Sequence, residues 1–291
     1  MPKTFSTTTP HTIKEHRMIL LVASSKDIAS LNIKDQILKN YQFQKAAKEF
    51  EGNPTFSADI NGKKVTLVTL SRESIKAQDL PEIFPQANLV VFLSRHSSQS
   101  GKPTLSVHTP GNLGEAELGG LPRSVSVSPA LAMQNALKAL VHYKEEFCLD
   151  YEVSFECTHH GPSLNVPTMF VELGSSELQW KDSKAAEAVA HAAMSAISGF
   201  STSSNSAVLG IGGTHYNQKF TLMALMGEAC FGHMIPKYAV PLVTPELLRH
   251  CVERTLGQVS LAVLDWKGIR GEDKPGLLAA LETVGLPFKK V

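Results

Sequence analysis

Apolar runs of strand length alternate with helical patterns along almost the whole chain, and this alternation leaves few architectures open. Met18 to Ala23, Val65 to Leu70, Leu89 to Ser94, Tyr151 to Cys157, Thr168 to Leu173, Ala207 to Ile211 and Ser260 to Leu264 read as strands. Helical periodicity fits Ile28 to Asn40, Pro129 to Phe147, Ser183 to Ser198, Phe220 to Met226, Pro245 to Leu256 and Pro275 to Val284. Strands and helices in turn build βα units around a mostly parallel or mixed sheet with helices on its faces, so the fold class is α/β. At 291 residues the chain has room for an ample core, and no boundary divides it. We expect a disordered extension over residues 1–17 and one domain over 18–291.

The segment from Ser97 to Ser128 is rich in Gly, Pro, Ser and Thr without regular pattern. Loops of that length inside a compact domain are usually functional, so it is expected to wall the active site. No run approaches the roughly 20 apolar residues needed to span a bilayer, which argues against a membrane protein. Four dispersed cysteines with no C-x-x-C pair point to a reducing, intracellular setting. A cytoplasmic location follows, with organellar import through the Ser/Thr-rich leader left open. Cys157 lies beside two histidines, but it alternates with Val153 and Phe155 and so reads as core rather than nucleophile.

Chemistry gathers just past the strand ends. Arg95-His96, Thr158-His159-His160, Gly174-Ser175-Ser176, Gly212-Gly213-Thr214-His215 and Asp265-Trp266-Lys267 each follow a strand. In open α/β sheets ligands bind beyond the C-terminal strand ends, so these pieces are expected to converge. Histidines 96, 108, 159, 160, 215 and 233, with Glu156 and Glu172, supply the donor types that zinc takes, and a zinc-bound water suits hydrolysis. The spacing matches neither H-E-x-x-H nor a zinc ribbon, and each lone histidine has packing as its plain alternative. Gly210-Ile211-Gly212-Gly213 resembles an anion cradle, but it is not G-x-G-x-x-G, which disfavours a nicotinamide cofactor. Gly174-Ser175-Ser176-Glu177 reads first as a helix cap and second as an anion site. The net charge of +1 neither demands nor excludes a polyanion.

Ser94-Arg95-His96-Ser97-Ser98, Thr158-His159-His160-Gly161-Pro162, Val171-Glu172-Leu173-Gly174-Ser175-Ser176-Glu177, Gly210-Ile211-Gly212-Gly213-Thr214-His215-Tyr216, Phe231-Gly232-His233-Met234-Ile235-Pro236-Lys237-Tyr238 and Asp265-Trp266-Lys267-Gly268 resemble, in order, the motifs of the archaeal and plant type of D-aminoacyl-tRNA deacylase. The resemblance runs from about Met18 to the C-terminus. It implies a zinc-dependent hydrolase that cleaves the ester between a D-amino acid and the terminal ribose of tRNA, on a fold similar to phosphorylases and peptidyl-tRNA hydrolases. Thr214 departs from the pattern, standing where members often carry a third glycine.

On that reading the catalytic residues are His96, His160, His215 and Glu156, and the metal ligands come from His96, His108, His159, His160, His215 and His233. Gly212, Gly213, Ser175, Lys237 and Lys267 are expected to hold the substrate's anionic parts. The expected cofactor is Zn2+, the partner is the acceptor end of D-aminoacyl-tRNA, and the expected state is a monomer. Two other readings stand beside it: a zinc-dependent amidohydrolase or peptidase on a small substrate, and a non-enzymatic tRNA- or nucleotide-binding module.

Overall fold

The computed structural model describes residues 17–202 and 206–291. The expected extension over residues 1–17 lies, but for its last residue, outside the described residues. Strands β1 (Met18–Ser24), β2 (Gln44–Phe50), β3 (Asn53–Ile60), β4 (Lys63–Leu70), β5 (Ala87–Arg95), β6 (Thr104–His108), β7 (Glu152–Phe155) and β8 (Thr168–Gly174) form one sheet in the order β2-β3-β4-β1-β5-β8-β6-β7. Strands β9 (Ser206–Gly212), β10 (Phe231–Ile235), β11 (Gln258–Asp265) and β12 (Phe288–Lys290) form a second, parallel sheet ordered β10-β9-β11-β12. The first sheet is mixed: β4, β1, β5 and β8 run parallel, whereas β6 pairs antiparallel with β8 and parallel with β7.

Helices α1 (Ile28–Asn40), α3 (Ala130–Glu146) and α5 (Ser183–Ser198) share a core with one face of the large sheet, and α2 (Leu80–Ile83) lies by the other. The short α4 (Glu177–Trp180) follows β8, and α6 (Gln218–Leu225) follows β9. Helices α7 (Pro245–Glu253) and α8 (Lys274–Val284) pack in the core of the small sheet. The sequence of β1 shows why its run is unbroken: Ile19, Leu21 and Ala23 point into one core while Leu20 and Val22 point into the opposite one. A strand covered on both faces needs no polar alternation. Four helices start where a side-chain oxygen takes a free amide: Asp27 for α1, Asp182 for α5, Asn217 for α6 and Thr244 for α7.

Several elements were not anticipated. Strand β2 is largely exposed with no apolar period, and β3, mostly half-buried, shows only the short alternation of Phe56, Ala58 and Ile60. Their signal lay in the turns, where Glu51-Gly52 and Asn61-Gly62 take positive φ, as tight hairpins require. Strand β6 lies inside the segment expected to lack regular structure, and β10 and β12 were also unforeseen. The span Tyr151 to Cys157 keeps ladder pairing only over Glu152–Phe155, and Pro129 sits at the N-cap of α3 rather than in its first turn.

The residues after β7 join the two sheets. Glu156 bridges Tyr216 antiparallel, the Cys157 amide donates to the His215 carbonyl at 2.9 Å, and the Thr158 amide donates to the Met234 carbonyl at 2.9 Å. This seam fixes Glu156 against the turn that carries His215. Cys157 is buried there in the core, where burial pushes its thiol pKa up, in line with the packing reading.

Candidate active site

The seam opens into a cleft containing His96, Glu156, His159, His160, Glu172 and His215. His108, at the end of β6, is buried behind them, with its ring centroid 4.3 Å from that of His159 and 4.9 Å from that of His160. Adjacent residues on a strand face opposite ways. Here the chain has left the strand, and His160 takes a φ of 40°, so both His159 and His160 turn into the same cluster. Gly174 makes room for His96, because a Cβ at that position would sit 2.5 Å from the His96 carbonyl oxygen.

Two buried carboxylates organise the charge. Glu156 Oε2 accepts from His215 Nε2 at 2.9 Å, and Glu156 Oε1 lies 3.2 Å from His96 Nδ1. Glu172 approaches His96 Nδ1 and His108 Nε2, each at 3.6 Å. Burial alone would raise the pKa of Glu156, but contacts with His215 and His96 outweigh it and hold the carboxyl well below its ordinary value. Burial opposes charge on His96 as well, yet Glu156 and Glu172 push its pKa up to about 11, making it an imidazolium. Its Nε2 then donates to the Tyr216 hydroxyl oxygen, 2.8 Å away. His159 and His160 go the other way: burial, reinforced by the nearby His108, holds His159 well below its ordinary value and brings His160 to about 4.

Donor atoms of His108, His159 and His160 lie within 4.8 Å of one another, as do those of Glu156, His159 and His215, and those of His96, Glu156 and Glu172. In the first triplet both ring nitrogens of buried His108 lack a hydrogen-bond partner, and neutral His159 and His160 are the form that binds a metal. The donor set therefore suits zinc, which takes three histidines and leaves a position for water. His215 is polarised differently. With Nε2–H bonded to Glu156, its Nδ1 is an acceptor, met by the Tyr238 hydroxyl at 3.1 Å.

The other expected site residues fall elsewhere. His233 is buried away from the cluster, with Nδ1 bonded to the Thr158 hydroxyl and Nε2 to the Arg254 carbonyl, both at 3.1 Å. Burial lowers its pKa to about 4, so it is a neutral packing residue rather than a ligand. Gly212 and Gly213 do not cradle an anion with free amides, since the Gly213 N–H donates to the Gly268 carbonyl. They serve close packing: a Cβ on Gly213 would lie 2.4 Å from Asn217 Nδ2. Ser175 is buried with its hydroxyl on the Lys102 carbonyl, and Ser176 caps α4 with Gln179, as the capping reading has it. Lys237 and Lys267 are exposed outside the cleft, though the Lys237 amide bonds Gly213 at 2.9 Å, two residues from His215. Strand-end convergence thus holds for His96 and His215 and fails for Ser175 and Lys267.

Tyr216 and Tyr238 were not foreseen as site residues. Both end family-like motifs, but only the tertiary contacts with His96 and His215 give them a role. Trp180 was missed likewise; its Nε1 donates to the His96 carbonyl at 2.8 Å and steadies that histidine from behind. From the segment 97–128, Ser97 and Leu118 line the cleft, and His108 is buried behind it.

A mixed α/β sheet that brings four histidines and two buried carboxylates into one cleft, with a fifth histidine buried behind them, fits an enzyme of the hydrolase type. The family model for D-aminoacyl-tRNA deacylase matches residues 83–289. Proteins named D-aminoacyl-tRNA deacylase from Thermococcus kodakarensis and Pyrococcus abyssi are each 36% identical, over 93% and 94% of this chain and 99% and 100% of their own. That of Methanocaldococcus jannaschii is 34% identical over 94% of this chain and 99% of its own. A crystal structure described as a conserved protein of unknown function superposes with a TM-score of 0.82 at 32% identity, covering 94% of this chain and 95% of that one. The chain belongs to the D-aminoacyl-tRNA deacylase family.

Proposed function

We propose that this chain hydrolyses the ester linking a D-amino acid to the terminal ribose of tRNA, releasing both, and that the histidine–carboxylate cleft is the reaction site. The observation that carries this is spatial: motifs matching the family along nearly the full chain place His96, His159, His160, Glu172 and His215 in one cleft. Among the described residues no helix is long and apolar enough to cross a membrane. We place the activity in the cytoplasm, where tRNA is charged, with a monomer as the working unit.

His108, His159 and His160 would hold Zn2+, which when bound supplies a Lewis acid and a water of lowered pKa. Around it, the chain's own groups orient and move protons. The Glu156 carboxylate fixes the His215 tautomer, leaving Nδ1 to accept a proton from a hydroxyl in the place that Tyr238 now occupies. His96, held as a cation between Glu156 and Glu172, faces the same cleft and supplies positive charge for a developing oxyanion.

The test is release of amino acid from D-tyrosyl-tRNA and L-tyrosyl-tRNA, before and after chelation and zinc restoration. Cleavage of the D ester alone, lost with the metal and regained with zinc, is the expected result. Cleavage of neither ester would sink the deacylase reading, and unchanged turnover after chelation would sink the zinc site.

A further inference from the structure

The histidine cluster does not line one cavity but divides two. His159, His160 and His215, with Leu118, border both a cavity of 480 Å3 and a second of 600 Å3. An ester has two halves, and a reacting carbonyl held at this partition must send its acyl group to one side and its ribose to the other. The two sides differ in chemistry.

The smaller cavity is the more acidic of the two. It is lined by four carboxylates, Asp27, Glu73, Glu156 and Glu172, against two cations, the Arg95 guanidinium and the His96 imidazolium. Ser74, which also lines it, is 6% exposed, and its hydroxyl has no hydrogen-bond partner. Such a wall repels phosphates and favours the amino group of an aminoacyl moiety. The larger cavity also carries carboxylates, Glu115 and Glu117, but both are exposed at its wall, and apolar surface lies beside them. Leu118, Tyr238 and Leu242, among the molecule's exposed large hydrophobics at 60%, 55% and 42%, all border it. The Tyr238 ring lies within 22° of parallel to His215, extending the partition as a stacking face. Arg123 stands at the wall of this cavity with Glu115 and Glu117, and Lys237, far from those carboxylates in sequence, is exposed next to Tyr238. Exposed aromatic and aliphatic faces beside cations are the pattern that takes a base and its phosphate.

Building on the deacylase reading, we propose that the acidic cavity beside Ser74 and Ile75 receives the aminoacyl group, and that the apolar cavity beside Tyr238 and Leu242 receives the terminal adenosine. Side-chain preference is then set by the first cavity, and affinity for the nucleic-acid end by the second.

Two substitutions outside the catalytic cluster separate these roles. Ile75→Phe narrows the acidic cavity and Leu242→Asp puts a carboxylate in the apolar one, and each is assayed on D-tyrosyl-tRNA and D-alanyl-tRNA. Ile75→Phe is expected to lower kcat/KM for the tyrosyl substrate by about tenfold relative to the alanyl one, the scale on which a shaped pocket discriminates. Retained alanyl turnover is its own folding control; if I75F melts early, Ser74→Val repeats the narrowing more gently. Leu242→Asp should raise KM about tenfold for both substrates alike, the order of one lost base contact. Selectivity that moves with Leu242 and not with Ile75 or Ser74 would reverse the assignment, and two variants indistinguishable from wild type would overturn it. Wild-type protein inactive on both esters would sink the deacylase reading itself, which separates the two failures.

Discussion

Replacing Gly174 by alanine tests whether the exact seat of His96 matters. A Cβ there would lie 2.5 Å from the His96 carbonyl oxygen and 2.6 Å from its Cβ, against the 3.4 Å at which ordinary contact begins. The shortfall is 0.9 Å, and both neighbours belong to the backbone or its root, so no flexible tip can swing aside. His96 is also tied by Trp180 at its carbonyl and by Tyr216 at its ring, so relief must move the whole residue by close to 1 Å. Overpacking of this kind costs about 1–3 kcal/mol of stability. Misplacing a reacting group by about 1 Å can cost on the order of a hundredfold in rate. We therefore expect Gly174→Ala to stay folded at 25 °C, melt a few degrees earlier, and lose about a hundredfold in kcat/KM on D-tyrosyl-tRNA. Gly276→Ala, whose new Cβ meets nothing within 4 Å, is the matched control and should keep wild-type turnover. A G174A enzyme within twofold of wild type would refute the idea that His96 acts from a fixed position.

Other outcomes follow from the same structure. Glu172→Gln leaves the His96 imidazolium with one carboxylate instead of two, and breaking a buried pair costs about 3–5 kcal/mol, so urea unfolding should show a loss of that order. A variant as stable as wild type would mean that His96 is not charged. His233 is neutral when folded, with its pKa lowered from 6.5 to about 4, so it contributes fully above pH 6.5 and its contribution is lost as pH falls toward 4. At pH 5 that loss is about 2 kcal/mol, at 1.36 kcal/mol per pH unit. The fall in unfolding free energy from pH 7 to 5 should be larger for wild type than for His233→Gln by about this amount, and parallel curves would show that the ring is not held neutral. His215→Ala should abolish turnover while leaving the fold intact, because its ring is partly exposed and its partners are side chains; retained D-tyrosyl-tRNA cleavage would remove it from the mechanism.

The order of elements and the identity of the histidines were legible in the chain because both are local properties. The doubly covered run Met18–Ser24 needs no partner to declare itself a buried strand, α1, α5 and α7 announce themselves through period and caps, and α3 through its period. His96, His159, His160 and His215 stood out because they sit in glycine-punctuated strings just beyond apolar strands. What sequence could not settle is which of these groups meet. The reversal of β6 and β7 against β8, the seam from Glu156 to Thr158, and the positive φ of His160 are set by pairing between residues tens of positions apart. Those pairings bring buried His108 beside His159 and His160, send His233 to Thr158 and Arg254, leave Lys267 outside the cleft, and enlist Tyr216, Tyr238 and Trp180. Charge on the histidines was equally a tertiary matter, because it depends on how far each ring lies from Glu156 and Glu172 in a medium that screens poorly. Residue type thus fixed the available donors, and long-range packing decided which became cations, which stayed neutral, and which two cavities they divide.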